Sequence, residues 1–374
     1  MRFYYFVFLL MTALLGCKTP TPPQPESLYQ IPQDNGDGWE VTSLTTAGMD
    51  SALIEKLLKK IESGDYPNLH ALTVAKNGKL VLDLFLKKEL SEYDHYAENT
   101  DLELHAAMSV TKSLVSLMVG IAIDQELFRG IDQEIKPMFP EYQSLNNPDP
   151  RKEKWTLRNF LTMRHGLEWD EESYDYDDSR NSYQLMANSA DWVRFTLSRP
   201  MITDPGSDFA YSSGITQVIS AAVQNISQEE FTAFTQEHLL TPLGINKTAW
   251  YYSNEGRAED IFLTCRDMLK IGQLVLDKGL WKGKRIVSEK WIDRSTKKWV
   301  DLSDDYGYGF QWWIRNFQIN QTSITSILAW GFGGQFILVF PDLKITVAIT
   351  QGNYDSEELS IQVFDLLKNF ILPQ

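Results

Sequence analysis

The chain has 374 residues and a formal net charge of −15, from 50 acidic against 35 basic side chains. That length allows a large core with two subdomains, and the acidic balance argues against nucleic acid as a partner, because a phosphate backbone calls for a basic face. The two cysteines, Cys17 and Cys265, allow no internal disulfide once a leader ending at Cys17 is processed.

Arg2 precedes the apolar run Phe3–Leu15, which is too short to span a bilayer as a mature helix and reads as an export signal. Leu14-Leu15-Gly16-Cys17 resembles a bacterial lipoprotein processing site, which implies residues 1–17 as leader plus lipidated Cys17. Lys18, rather than an aspartate, then points to the outer membrane, facing the periplasm or the cell surface, with a lipid anchor as the membrane contact. Residues 18–38, proline-rich and polar over Thr19–Gln33, read as a flexible tether. Residues 39–374 read as one folded domain.

Met49–Ile61 has helical apolar spacing and stops at Ser63-Gly64. Leu69–Ala75 and Leu80–Leu86 flank Lys76-Asn77-Gly78-Lys79, which predicts a hairpin turning on Asn-Gly. The second run is nearly continuous in apolar residues, which predicts cover on both faces. A polar stretch to Glu103 leads into His105–Ile123, where helical spacing after Ser109 predicts a buried helix.

Ser109 and Lys112 share one face of that helix at its N-terminus. A serine hydroxyl attacks only when a base takes its proton. Lys112 is one candidate base, since burial and the helix dipole both lower a lysine pKa. Unpaired N–H groups at the same helix end could stabilise an oxyanion.

Thr156–Met163, Ala190–Leu197, Gly214–Gln224 and Glu229–Leu240 read as helices, with a turn at Asp204-Pro205-Gly206-Ser207. Asp170–Arg180 is crowded with acids and reads as a solvated loop; it lacks the glycine and closing glutamate of a calcium loop. Thr264–Leu276 follows as an amphipathic helix, then the short helix Ser288–Ser295. Strand-like runs come at Tyr308–Ile314, Ile324–Trp330, Phe336–Phe340 and Ile345–Thr350, and Glu357–Phe370 closes the chain as a helix. Strands at both ends with helices between predict an α/β (α+β) fold. Its antiparallel sheet, from about 39–100 and 255–374, is flanked by terminal helices, and a mostly helical lobe of about 101–254 is inserted. The cleft between the lobes is the expected site. No metal-ligand spacing or phosphate loop is present, so neither metal nor cofactor is expected. His105 and His165 read as structural, because no G-x-S-x-G elbow surrounds any serine.

Ser109-Val110-Thr111-Lys112, followed about a hundred residues later by Pro205–Gly214 with Tyr211-Ser212-Ser213, resembles the class C beta-lactamase superfamily. That group includes D-alanyl-D-alanine carboxypeptidases, esterases and nylon-oligomer hydrolases. The resemblance extends over Trp155–Asp170, Thr264–Gly283 and Trp330–Pro341, nearly all of the folded domain. It implies a beta-lactamase/transpeptidase-like fold, Ser109 as nucleophile, Lys112 as its activator and Tyr211 as proton carrier across the cleft. The tyrosine role needs the lysine cation to favour phenolate, and Lys112 and Tyr211 both stand as candidate bases. Ser213 is implied to orient Lys112 or a substrate carbonyl, where lactamases usually have asparagine.

The departure is in the third motif. The family's Lys-Thr-Gly or His-x-Gly falls on Ala329-Trp330-Gly331 or on Phe332-Gly333-Gly334, before Gln335, and neither alignment has a basic residue. Gly331 or Phe332 could still supply an oxyanion N–H, with Trp330 and Phe332 lining an acyl pocket. Arg164 or Arg315 could replace the missing cation. The implied activity is a serine hydrolase for a small ester or amide. The alternatives are a penicillin-recognising D,D-carboxypeptidase or weak beta-lactamase on peptidoglycan-derived substrate, or an inactive cell-envelope binding module.

Overall fold

The two ends of the chain meet in one sheet. A computed structural model describes residues 27–142, 144–145, 148–319 and 321–373; the expected leader, Cys17 and the start of the tether lie outside them. Strands β1 (Glu40–Val41), β2 (Leu69–Lys76) and β3 (Lys79–Phe85) come from the N-terminal part. Short β4 (His105–Ala106), β5 (Ala249–Tyr252) and β6 (Ala258–Leu263) form a separate three-stranded sheet in the order β4-β6-β5. A small hairpin of β7 (Leu280–Trp281) and β8 (Lys284–Arg285) follows the helix Cys265–Leu276. The C-terminal part adds β9 (Val300–Asp301), β10 (Tyr306–Tyr308), β11 (Trp313–Ile319), β12 (Thr322–Gly331), β13 (Gln335–Phe340) and β14 (Ile345–Gln351). The main sheet runs β1-β3-β2-β14-β13-β12-β11-β10-β9.

Every neighbouring pair in it is antiparallel except the edge pair β1–β3, so the expected antiparallel sheet is a mixed one. The β2–β3 hairpin turns where Asn77 and Gly78 take φ of +53° and +75°, the left-handed conformation an Asn-Gly turn supplies. β3 is covered on both faces only over Leu80–Leu82, and Phe85 at its end is exposed. One face of the sheet buries Leu72, Val74, Phe336 and Val347 against the helix Ser51–Glu62 and the C-terminal helical segments. The other buries Ala329, Ile337 and Ala348 against Cys265–Leu276 and the helical lobe.

Two expected elements differ. Tyr308–Ile314 is broken between β10 and β11, because the Phe310 and Gln311 N–H groups bond the Ser295 and Leu161 carbonyls instead of a neighbouring strand. The break drives Phe310 and Trp312 fully into the core, a gain of about 1.5–3 kcal/mol per large apolar side chain. The closing helix is segmented into Glu357–Ile361, Val363–Leu366 and a π-turn at Leu367–Ile371. β5 and β6 had no counterpart in the sequence reading. β6 opens Ala-Glu-Asp, residues that strands usually avoid.

The helix Val110–Asp124 crosses the middle of the molecule, buried from Val110 to Ala122. This explains why its apolar residues occupy all faces rather than one stripe. It carries Ser109 and Lys112 to the junction of the sheet and the helical lobe. No helix among the described residues is long and apolar enough to cross a membrane.

Candidate active site

Ser109 precedes the first turn of the central helix, and its hydroxyl makes no capping bond, so the oxygen is free for other partners. Met108 before it has φ of +51°, a conformation that costs a non-glycine residue about 1 kcal/mol or more. Lys112 Nζ donates to Ser109 Oγ at 2.9 Å and to Ser213 Oγ at 2.9 Å. Lys112 is 6% exposed and Tyr211 8%, whereas Ser109 stays partly open.

Tyr211 comes from the segment leading into the helix Ser213–Ser227. Ser212 caps that helix by accepting from the Ile215 N–H at 3.1 Å. The Tyr211 ring stacks on Trp313 at 5.6 Å, with Tyr308 edge-on at 6.4 Å. Lys112 Nζ lies 4.9 Å from the ring centroid, and the phenol lies within interaction range of both Ser109 and Lys112. Ser109, Lys112, Tyr211 and Ser213, about a hundred residues apart in sequence, therefore form one connected group.

The charges differ from the sequence expectation. Burial pulls the Lys112 pKa down, but Tyr211, Glu171 and Asp260 outweigh it and hold it above the ordinary lysine value. The Tyr211 pKa is also raised, by burial first, with Lys112 opposing and Glu171 adding to the rise. The resting pair is an ammonium beside a neutral phenol. Lys112 is thus not a lysine discharged by desolvation, as the helix-end argument had it.

Glu171 is the residue the sequence reading missed. It sits in the run read as a solvated loop, yet it is 2% exposed. The Ser213 N–H donates to Oε2 and the Ser213 hydroxyl to Oε1, each at 2.7 Å, while the Trp169 indole donates to Oε2 at 2.7 Å. The Ser213 N–H is one of the orphan donors of a 15-residue helix, where the helix dipole favours an anion. Asn181 pins the loop by donating to the Glu171 and Tyr174 carbonyls. Five more acids in the run from Asp170 to Asp178 hid Glu171 in the sequence. Its spacing of two from Trp169 was the only local signal.

β6 brings two more acids toward the group. Thr111 Oγ1 donates to Asp260 at 3.2 Å, and burial pushes the Asp260 pKa up to about 6 although Lys112 pulls it down. Tyr183 donates to Glu259 at 2.5 Å; burial and Asp260 push Glu259 up to about 8.

The third motif is distributed over a strand end and a turn. Gly331 ends β12, and a Cβ there would lie 2.5 Å from the Ala107 carbonyl oxygen, so only glycine lets the strand approach the residues before Ser109. Ala329-Trp330-Gly331 is therefore the strand position, and Phe332-Gly333-Gly334 is the turn into β13. Gly333 and Gly334 have φ of +75° and +94°. Phe332 packs on Tyr93, Tyr176 and Tyr354, and Tyr176 in turn reaches Glu171 at 3.5 Å. Trp330 packs on Phe336 and Phe364, on the sheet face covered by the C-terminal segments, rather than in an acyl pocket. Gln335 is buried, and its amide bonds the Phe332 carbonyl and both backbone groups of Gln351, which braces the turn. Of the two candidate replacement cations, Arg315 stacks on Phe364 at 3.8 Å, on the sheet face covered by the C-terminal segments, and Arg164 Nε donates to Thr162 at 3.4 Å.

His105 and His165 are buried and serve structure. His165 is bonded between the Ala210 carbonyl and the Leu167 N–H, and His105 to His70. Among the described residues Glu229, Glu237 and His238 come together at the surface, where His238 contacts Gln125, just past the opposite end of the helix that starts after Ser109.

A sheet built from both chain ends, an inserted helical lobe, and an S-x-x-K helix facing a tyrosine together define a beta-lactamase/penicillin-binding-protein-like α/β fold of the serine hydrolase type. The chain belongs to the Beta-lactamase family, whose profile matches residues 63–365. It is 24% identical over 237 residues to the 6-aminohexanoate-dimer hydrolase of Paenarthrobacter ureafaciens, covering 56% of this chain and 57% of that protein. It is 25% identical over 261 residues to Beta-lactamase-like protein 4 of Dictyostelium discoideum, covering 68% of this chain and 43% of that one. The chain thus spans about half the length of these relatives. Among solved structures it resembles EstCE1, a hydrolase with promiscuous acyltransferase activity (TM-score 0.65, 14% identity, 85% of this chain and 98% of that chain). It also resembles a penicillin-binding protein homologue from Caulobacter crescentus (TM-score 0.62, 14% identity, 84% and 95%). At those identities the likeness is one of fold.

Proposed function

We propose that the protein is a serine hydrolase that forms an acyl-enzyme on Ser109 and acts on short, neutral ester or small amide substrates. The observation that carries this reading is the bonding of Lys112 Nζ to Ser109 Oγ and Ser213 Oγ, both at 2.9 Å, with Tyr211 beside the same serine and lysine. The pair Lys112–Tyr211 gives up one proton to become the working base. The Ser109 oxygen then passes its proton to Tyr211 and bonds the substrate carbonyl carbon. Collapse of the tetrahedral intermediate breaks the bond to the alcohol or amine, which leaves with the proton from Tyr211. Water repeats the sequence to release the acid and restore Ser109. The N–H groups of Ser109 and Phe332 form the proposed oxyanion site. Neither enters the backbone hydrogen-bond network of the described residues.

The amide side of the proposal draws on the name of the Paenarthrobacter relative, and the acyl-transfer step on that of EstCE1, a hydrolase with promiscuous acyltransferase activity. Exposing the soluble domain to a fluorophosphonate and, separately, to a penicillin, with mass spectrometry of Ser109, tests the reading. A fluorophosphonate adduct alone is the expected result. A stable penicilloyl adduct would favour a D,D-carboxypeptidase or weak lactamase, and no adduct with either would favour a binding module.

Substrate charge is the sharper test. No lysine or histidine lies between Ala329 and Gln335, and the site is rimmed by Glu171, Glu259 and Asp260. kcat/KM for a neutral ester is expected to exceed that of its analogue with a free carboxylate near the scissile bond by roughly 10- to 100-fold. A missing charge-assisted hydrogen bond is worth about 1.5–3 kcal/mol. A preference for the carboxylate that fades as salt rises would reverse the assignment.

The protein is further proposed to be an exported lipoprotein held at the membrane through Cys17, with no nucleic-acid partner. Multiple acyl chains anchor stably where one does not. Cys17→Ser is expected to move the full-length protein from the membrane fraction to the soluble fraction, and a wild-type protein that is exported unmodified and soluble would refute the anchor.

A further inference from the structure

A serine hydroxyl has one proton to give. Ser213 gives its proton to Glu171 Oε1 at 2.7 Å, so toward Lys112 its oxygen can only accept. Lys112, an ammonium with three donors and no acceptor, donates along the 2.9 Å contact to Ser213 and along the 2.9 Å contact to Ser109. With the Ser109 oxygen accepting from Lys112, the Ser109 proton has one remaining partner in the group, the phenol oxygen of Tyr211. Glu171 cannot itself reverse this chain, because an ionised carboxylate only accepts. Its two oxygens are held by the Ser213 N–H and the Trp169 indole on one side and by the Ser213 hydroxyl and Tyr176 on the other.

We propose that Glu171 is a positioning residue: by taking the Ser213 proton it keeps the Ser213 oxygen turned to Lys112 as an acceptor, which holds Lys112 between Ser213 and Ser109 and leaves the Ser109 proton directed to Tyr211. The proposal rests on the reading of Ser109 as nucleophile and decides between the two candidate bases. Lys112 becomes the fixed donor and Tyr211 the acceptor.

A pH signature follows from the groups around Lys112. Tyr211 faces it from the entry to the helix Ser213–Ser227, Glu171 and Tyr176 from the 170–180 loop, and Asp260 and Glu259 from β6; Tyr308 of β10 lies behind Tyr211. The Glu171 charge favours the protonated forms of both Lys112 and Tyr211. Removing that charge lets the pair give up its proton at lower pH.

The experiment compares Glu171→Gln, Glu171→Asp and Ser213→Ala in kcat/KM against pH on a small neutral ester. A Lys112 titration by NMR of the 13Cε resonance of labelled lysine runs beside it. In Glu171→Gln the amide can donate to the Ser213 oxygen and so competes with Lys112 for that acceptor. kcat is expected to fall roughly 10- to 100-fold with KM little changed, and the rising limb of the profile to move down by about one pH unit. Glu171→Asp keeps the charge but is one methylene too short to reach both Ser213 donors, so it should lose rate with the limb in place. Glu171→Gln combined with Ser213→Ala should cost no more than the worse single change, because both act through one hydroxyl. Wild-type rate and limb in Glu171→Gln, or the same limb shift in Glu171→Asp, would overturn the proposal in favour of a packing role. The Lys112 titration needs no turnover. A downward shift in Glu171→Gln alongside an unlabelled, inactive wild type would retain this chain while discarding the hydrolase reading. An unmoved Lys112 titration in a labelled, active enzyme would do the reverse.

Discussion

Ser109→Ala is expected to reduce turnover by roughly four to six orders of magnitude and to abolish the fluorophosphonate adduct, since the proposed acyl-enzyme forms on the hydroxyl it removes. The stability cost is expected to stay within about 1 kcal/mol. Loss of a capping hydroxyl would cost up to about 2 kcal/mol, but Ser109 makes no capping bond and is only partly buried. Lys112 keeps Ser213 and Tyr211 as partners after the change. Equilibrium denaturation of the variant, measured beside its kinetics, separates lost chemistry from lost fold. Full turnover by the alanine variant would end the acyl-enzyme reading.

The largest stability effect is expected at Asp94. Its carboxylate pairs with Lys87 at 2.6 Å, with side-chain exposures of 0% and 1%, and accepts from the Ser91 N–H at 2.7 Å and the Ala106 N–H at 3.4 Å. Ala106 belongs to β4, just before Ser109, so the ion pair lies under the strand that leads to the nucleophile. Asp94→Asn leaves a buried ammonium without its counter-charge, which costs about 3–5 kcal/mol. Replacing both partners with apolar residues of similar volume is expected to recover most of that loss, because the penalty is the stranded charge rather than the missing pair. A denaturation midpoint equal to wild type in Asp94→Asn would show that Lys87 finds water or another partner.

The same cluster sets an acid limit. Burial, with Lys87 adding, pushes His70 down to about 4, and burial pushes His105 down to about 3, with Lys87 and His70 adding and Asp94 opposing. Both rings are neutral in the fold, whereas in the unfolded chain they take up protons below about pH 6.5. The unfolded state then binds more protons, so stability falls as pH drops from about 6.5 toward 4 and below.

Where the determinants are local, the chain alone defines the structure. Asn77-Gly78 specifies the hairpin, because only such a pair readily takes two successive positive φ values. The apolar run after Ser109 specifies a buried helix, and a spacing of three places Ser109 and Lys112 on one face whatever the rest of the molecule does. Tyr211 and Ser213 were legible as a motif, while their contact with a helix a hundred residues earlier was legible only through the family resemblance. Trp330 and Gln335 lay in the right stretch, but the register of β12 with β13 turned one onto the far face and gave the other to the turn.

Tertiary structure decided the rest, and in each case through burial. Six acids between Asp170 and Asp178 are alike in sequence, and only the helix end at Ser213, the Trp169 indole and the Asn181 clamp take Glu171 out of water. β6 was hidden because Glu259 and Asp260 argue against a strand until the pairing with β4 and β5 places them beside Lys112. The charge of Lys112 followed the same logic. Desolvation is local to a helix and pulls its pKa down, but the groups that outweigh it arrive from three separate segments of the chain. A side chain's propensity and periodicity travel with the sequence; the field it sits in is a sum over neighbours that only the folded chain brings together.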